Sequence, residues 1–148
     1  MSERDLRGLF TAFGDALNRH DWDALTATLH PEASLEYPQS GERFSGRDSI
    51  RDQFLNYPSL KPGSTHVEEI IGEPRYAVSP MFTVIEVEGS GNLGVAITRV
   101  HYPDDSLWWA INVFEVRDGL LGQMRSFFAQ DFPAPDWRAP YRDADPPR

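Results

Sequence analysis

The chain has 148 residues, 40% of them hydrophobic, which suits one domain with its own core and excludes an unfolded chain. Fourteen basic residues stand against 23 acidic ones, a net charge of −9, so neither nucleic acid nor an anionic membrane is expected as a partner. The absence of cysteine excludes disulfides, a thiol nucleophile and thiolate metal sites.

Leu6, Leu9, Phe10, Phe13 and Leu17 recur at spacings of three and four, which predicts a helix ending at Asn18-Arg19-His20. Asp21 is the expected N-cap of a second helix with Trp22, Leu25 and Leu29 on its apolar stripe and His30-Pro31 at its end. Ala33 to Tyr37 alternates and stops at Pro38, which predicts a short strand, and Phe44 marks a shorter one. Ser45 opens a Ser-x-x-Asp capping pattern that reaches Asp48, and Ile50, Phe54 and Tyr57 carry a third helix as far as Pro58. Beyond residue 65 the period becomes two. Strands are expected at 67–71, 81–87, 93–102, 107–116 and 120–130. Their turns fall at Gly89-Ser90-Gly91-Asn92, Pro103-Asp104-Asp105-Ser106 and Arg117-Asp118-Gly119, giving three hairpins in series. The tail from Pro133 holds five prolines and lies outside the sheet. Trp137-Arg138-Ala139-Pro140-Tyr141 is expected to pack the tail back on the body.

Helices followed by such a meander predict an α+β fold, with three N-terminal helices packed on a strongly curved antiparallel sheet. A conical cavity between the layers is the natural small-molecule site. One domain is expected over 1–142 and a flexible tail over 143–148. The charged start, Met1 to Asp5, has no apolar stretch of signal-peptide length, and no segment approaches the ~20 apolar residues of a bilayer span. A cytoplasmic protein is expected. The four histidines, His20, His30, His66 and His101, lack metal-ligand spacing, and no glycine-rich phosphate loop occurs, so neither metal nor cofactor is expected.

Two stretches, Phe10 to Asn18 and Asp21 to Leu25, resemble the opening of nuclear transport factor 2-like domains. So do His30 to Leu35 and Phe44 to Ile50. The ending, Phe127 to Tyr141, is similar to the SnoaL-like branch of that superfamily. The resemblance covers about residues 5–142 and is specific for fold. It is weak for function, since the superfamily includes ketosteroid isomerases, limonene epoxide hydrolases, polyketide cyclases, dehydratases and non-catalytic binding modules. It also implies a homodimer formed sheet to sheet. Ketosteroid isomerase uses an aspartate base, with a tyrosine and a protonated aspartic acid holding the enolate oxygen. The matching positions here are Tyr37, Phe13 and Asn112, which argues against that mechanism.

The family alignment turns Asn112 inward, and strand parity then adds Trp108, Ala110 and Phe114. Pairing Tyr102 with Leu107 would place His101 opposite Trp108 and Arg99 opposite Ala110. Pairing Glu88 with Leu93 would bring in Phe82, Val84 and Glu86. Met124, Ser126, Phe128 and Gln130 join by family alignment.

His101, Glu86 and Asp131 are the candidates for acid–base work. For His101 and Glu86 the alternatives are a structural histidine and a solvated strand acid; for Asp131 the alternative is a solvated strand-end carboxylate. Tyr37, Arg99, Trp108, Asn112, Ser126, Phe13 and Phe128 are the candidate ligand contacts. Arg99 could instead pair with an acid, and Asn112 could satisfy a buried partner. The leading expectation is a cofactor-free protein that binds a small apolar, oxygen-bearing molecule. Whether it acts as a lyase, isomerase or cyclase by proton transfer stays open. A non-catalytic ligand-binding or dimerisation module is the alternative, and an epoxide hydrolase a further one.

Overall fold

The computed structural model describes residues 2–57, 82–102 and 104–144. Helix α1 spans Glu3–Arg19, α2 Trp22–Ala27 and α3 Arg47–Leu55. Strands β1 (Leu29–Tyr37) and β2 (Glu42–Ser45) lie between α2 and α3. Strands β3 (Phe82–Ser90), β4 (Leu93–His101), β5 (Leu107–Arg117) and β6 (Leu120–Gln130) follow, and a 3-10 turn covers Asp136–Tyr141. The strand expected at 67–71 and the last residues of the tail, 145–148, lie outside the described residues.

Helix α1 starts on a capping box. The Ser2 hydroxyl accepts from the Asp5 backbone N–H, and the Asp5 carboxylate accepts from the Ser2 backbone. It ends with His20 in the left-handed region, φ 55°. Asp21 caps α2 as expected, accepting from the Ala24 N–H at 3.0 Å. Helix α2 is shorter than its apolar stripe suggested, because Leu29 and His30 already belong to β1. Ser45 does not cap α3. Gly46 holds that position at φ 88°, and no side chain bonds to the helix end.

The six strands form one curved, unclosed sheet in the order β2-β1-β6-β5-β4-β3. The β3 to β6 meander is antiparallel throughout, but β1 runs parallel to β6, so the sheet is mixed rather than wholly antiparallel. Helix α3 packs against β1, and α1 lies along β3. The Asn18 amide fixes that second contact: it donates to the Phe82 carbonyl at 2.6 Å and accepts from the Phe82 N–H at 2.9 Å.

The core fills the concave side. Phe10 stacks on Phe114 with ring centroids 5.0 Å apart and touches Phe13 and Phe82. Gly94 faces Phe114 across β4 and β5, and its missing side chain leaves the space that the ring occupies. The tail does not return to the body. Phe132, Trp137 and Tyr141 are 75%, 70% and 84% exposed, so the expected packing of Trp137 to Tyr141 is absent.

Candidate functional site

The site lies between α1, α3 and the concave face of the sheet. Phe10, Phe13 and Leu17 come from one face of α1, which their three- and four-residue spacing creates. Leu35 and Tyr37 alternate along β1, and Met124, Ser126 and Phe128 along β6. Gln53 and Phe54 project from α3, and Tyr57 follows its end. The inner cavity measures about 70 Å³. It opens into a funnel of about 400 Å³ that shares Tyr37, Tyr57, Tyr102 and Phe128 with it and adds Gln39, Ser40, Asp104, Ser106 and Trp108. The inner space admits little more than one end of a molecule, and the funnel has room for the rest.

The funnel walls are aromatic. Tyr57 stacks on Tyr102 with centroids 6.0 Å apart, Tyr102 meets Trp108 edge-on at 5.9 Å, and Tyr37 meets Phe128 edge-on at 5.5 Å. The Trp108 indole N–H donates to the Ser106 hydroxyl at 2.9 Å, which holds the ring at the rim.

The buried polar groups mostly satisfy one another. Asn112 Nδ2 donates to the Ala96 carbonyl at 3.1 Å and to Thr98 Oγ1 at 3.2 Å. Its Oδ1 accepts from the Ser126 hydroxyl at 2.7 Å. Both amide hydrogens of Asn112 are thus engaged by the sheet itself, leaving neither for a ligand oxygen. The Tyr37 hydroxyl donates to Gln53 Oε1 at 2.9 Å. That bond leaves the Gln53 amide nitrogen as the donor side of the pair.

Among the described residues the inner cavity is lined by no carboxylate and no imidazole. Its phenols are weak acids there. Burial pushes Tyr37 well above the usual phenol range and Tyr102 up to about 12, with nearby phenols and acids adding to both. Burial raises Tyr57 as well.

The structure separates the candidates read from the sequence into two groups. Phe13, Tyr37, Asn112, Ser126 and Phe128 line the inner cavity, and Trp108 lines the funnel. Arg99, His101 and Glu86 lie on the opposite, convex face. The reason is register: His101 pairs with Leu107, and Arg99 pairs with Trp109, one residue away from the expected alignment. Asp105 adopts a left-handed conformation, φ 69°, and the connection between the paired ends runs from 102 to 106. Val100, Thr98 and Ala96 therefore take the inward positions on β4.

Glu86 faces outward because it pairs with Ile97, on the convex row of β4, and the register of β3 changes only beyond it, at a bulge at Ile85. Val84 pairs with Thr98, while Glu86 pairs with Ile97. Phe82 and Val84 nonetheless face inward, opposite Val100 and Thr98, because the bulge at Ile85 reverses the parity of β3 on its far side; the turn that pairs Ser90 with Leu93 is two residues shorter than expected and leaves parity unchanged. Asp131 follows β6 and is held outside the cavity by Arg99, with Nη1 to Oδ1 at 2.6 Å and Nη2 bonded to Oδ2. The hydrogen bonds from Arg99 hold the Asp131 carboxyl below its usual range. The same guanidinium lies 4.5 Å from the centre of the Trp109 ring. His101 bonds to the Asp105 carboxylate at 2.9 Å.

Gln53, Tyr57 and Tyr102 line the site but are absent from the sequence-derived set. Gln53 was recoverable. It sits three residues after Ile50 and four before Tyr57, on the buried stripe of α3, where an amide stands out among apolar neighbours.

A SnoaL-like domain model matches residues 10–124. The chain belongs to the SnoaL-like family. The fold is that of nuclear transport factor 2-like proteins. An NTF-2 like protein of unknown function from Burkholderia xenovorans is 25% identical, with a TM-score of 0.75 over 99% of both chains. A putative ketosteroid isomerase from Kribbella flavida is 20% identical, with a TM-score of 0.70 over 97% of this chain and 92% of that one. A putative polyketide cyclase from Sinorhizobium meliloti is 20% identical, with a TM-score of 0.60 over 85% of this chain and 99% of that one. No curated protein matches the sequence. This SnoaL-like chain therefore shares its fold with proteins of several chemistries. Among its described residues, no helix is long and apolar enough to cross a membrane.

Proposed function

We propose that this SnoaL-like protein binds an uncharged, mostly apolar small molecule carrying a hydroxyl or carbonyl oxygen. One observation carries the reading. The described lining of the inner cavity is aromatic and aliphatic, with neutral polar groups and no ionised side chain. A charged ligand group would lose its hydration there without a counter-ion. In this reading an apolar end of the ligand enters between Phe13, Phe82 and Met124. Its oxygen lies against the Tyr37–Gln53 pair, and its body lies flat between the funnel aromatics. Proton transfer within the inner cavity finds little support, since the phenols hold their protons and Asn112 is engaged; the funnel carboxylate of Asp104 accepts from the Ser106 N–H and hydroxyl. Ligand binding is thus favoured over catalysis. A cyclase, isomerase or epoxide hydrolase would need an acid or base in reach of the ligand.

The test is a thermal-shift and calorimetric comparison of cyclic and aromatic ketones or alcohols with their carboxylate counterparts. Neutral members are expected to stabilise the protein by about 2.7 kcal/mol at a concentration ~100 times Kd, and the carboxylates not at all. Tyr37→Phe and Gln53→Leu should each weaken binding of the oxygenated member more than that of its hydrocarbon parent. Preference for the carboxylates, or no stabilisation by any neutral member, would overturn the proposal.

A further inference from the structure

We infer that the C-terminal arm, residues 132–141, is an intermolecular element that clasps a second copy of this chain. The arm leaves the sheet at Asp131, whose N–H donates to the Leu107 carbonyl at 3.0 Å. It then runs through Pro133 and Pro135 into the 3-10 turn at Asp136–Tyr141. Prolines restrict the arm before it meets anything, so it loses less entropy on docking than a flexible tail would. Yet no residue of the turn is buried, and Phe132, Trp137 and Tyr141 are at least 70% exposed. Three large aromatics exposed on one stiff segment are an unfavourable surface for a solitary acidic protein.

The arm also springs from the edge of a second uncovered apolar surface. Ile85, Trp109, Ile111 and Phe127 are exposed on the convex side of the sheet, at 38–49%. Ile97, Ile111 and Phe127 form one cross-strand row there, and Arg99, Trp109 and Ala129 form the next. At roughly 200 Å² per large side chain, these four residues and the three arm aromatics together expose on the order of 800 Å². That is about what each partner of a standard interface contributes.

Charge permits a like partner. Two copies of net charge −9 repel, so a contact between them must be locally neutral. The row of the convex face nearest the arm meets that condition, because its one cation, Arg99, is bound to Asp131 and stacked on Trp109. The arm carries Asp136 and Arg138, which balance, with the Arg138 guanidinium 5.2 Å from the Trp137 ring centre. Both surfaces belong to every copy, so a two-fold pairing uses each twice. A sheet-to-sheet dimer is implied by the family resemblance alone. What the arm adds is a strap reaching across onto the partner's convex face.

The experiment uses the full chain. Sedimentation equilibrium is run on the wild type, on the Trp137→Ala/Tyr141→Ala double variant and on Ile111→Glu, and a photo-crosslinking benzophenone residue replaces Trp137 in a fourth protein. The wild type is expected to be a dimer at about 10 µM. The double variant should raise the dissociation constant on the order of a hundredfold, while its far-UV circular dichroism stays unchanged. Ile111→Glu should dissociate the dimer as well. The photo-crosslink should join two chains, and should disappear when Ile111→Glu is added. A wild type that stays monomeric at ~100 µM would overturn the proposal. So would a double variant that dimerises like the wild type, or a crosslink confined to one chain.

Discussion

Replacing Asn112 by aspartate tests the reading of the buried amide network directly. Asn112 is 5% exposed, and its Nδ2 donates to the Ala96 carbonyl at 3.1 Å. In Asn112→Asp an oxygen takes the place of that nitrogen and faces another acceptor. Protonating the new carboxyl restores a donor toward Ala96, so the folded state should hold that proton far more tightly than the unfolded chain. Burial adds in the same direction. A rise of about three units above the unfolded value of ~3.9 corresponds to roughly 4 kcal/mol. The sign follows from linkage. Where the folded pKa is raised, the variant matches the wild type below pH ~4 and loses ground as pH rises toward ~7, beyond which the deficit is constant. For a chain of this length the full deficit lowers Tm by about 8–16 °C. Thermal and urea unfolding of both proteins from pH 4 to pH 8 would measure it. A gap between the two proteins that does not change with pH would refute the network as described.

Other outcomes follow from the same structure. Gly94→Ala would drive its methyl into Cζ of Phe114 and within 2.8 Å of Cε1, against a ring already stacked on Phe10. Calorimetry should show a loss of about 1–3 kcal/mol. Tyr37→Phe removes a hydrogen bond to Gln53 and should cost about 0.5–1.5 kcal/mol in urea unfolding. Asp21→Ala removes the α2 cap and should cost about 1 kcal/mol by the same measurement. The depressed carboxyl of Asp131 contributes stability above the ordinary aspartate range and loses it as pH falls through that range. The pair is partly exposed, so Arg99→Ala should remove no more than ~1 kcal/mol at pH 7, and less at pH 3.

The fold was legible in the sequence because its signals are local. The α1 stripe, the Asp21 cap and the period-two meander each follow from neighbouring residues. The SnoaL-like fold and membership agree with the residues that carried the resemblance. The parallel pairing of β1 with β6 was not legible, since nothing in either strand states which distant segment lies beside it. The β5–β6 side of the site followed from the alignment, and Asn112, Ser126 and Phe128 lie where that placed them. The β4 side did not, because parity along a strand fixes which residues share a face but not which face points inward. That depends on one residue of turn length at 102–106. Glu86 turned outward with its partner strand β4, and the inward positions of Phe82 and Val84 depend on the bulge at Ile85, for which Thr83 to Val87 carries no glycine or proline signal.

The dependence on that turn has a chemical side. Strand β4 carries two alternative linings on one backbone: Ala96, Thr98 and Val100 on one face, and Ile97, Arg99 and His101 on the other. The first set gives the concave face neutral side chains. The second would bring a guanidinium and an imidazole into the same space. A single insertion or deletion between His101 and Leu107 slides the strand by one place and exchanges them, with no strand residue altered. The charge of the cavity lining is therefore set by the length of a loop at the cavity rim.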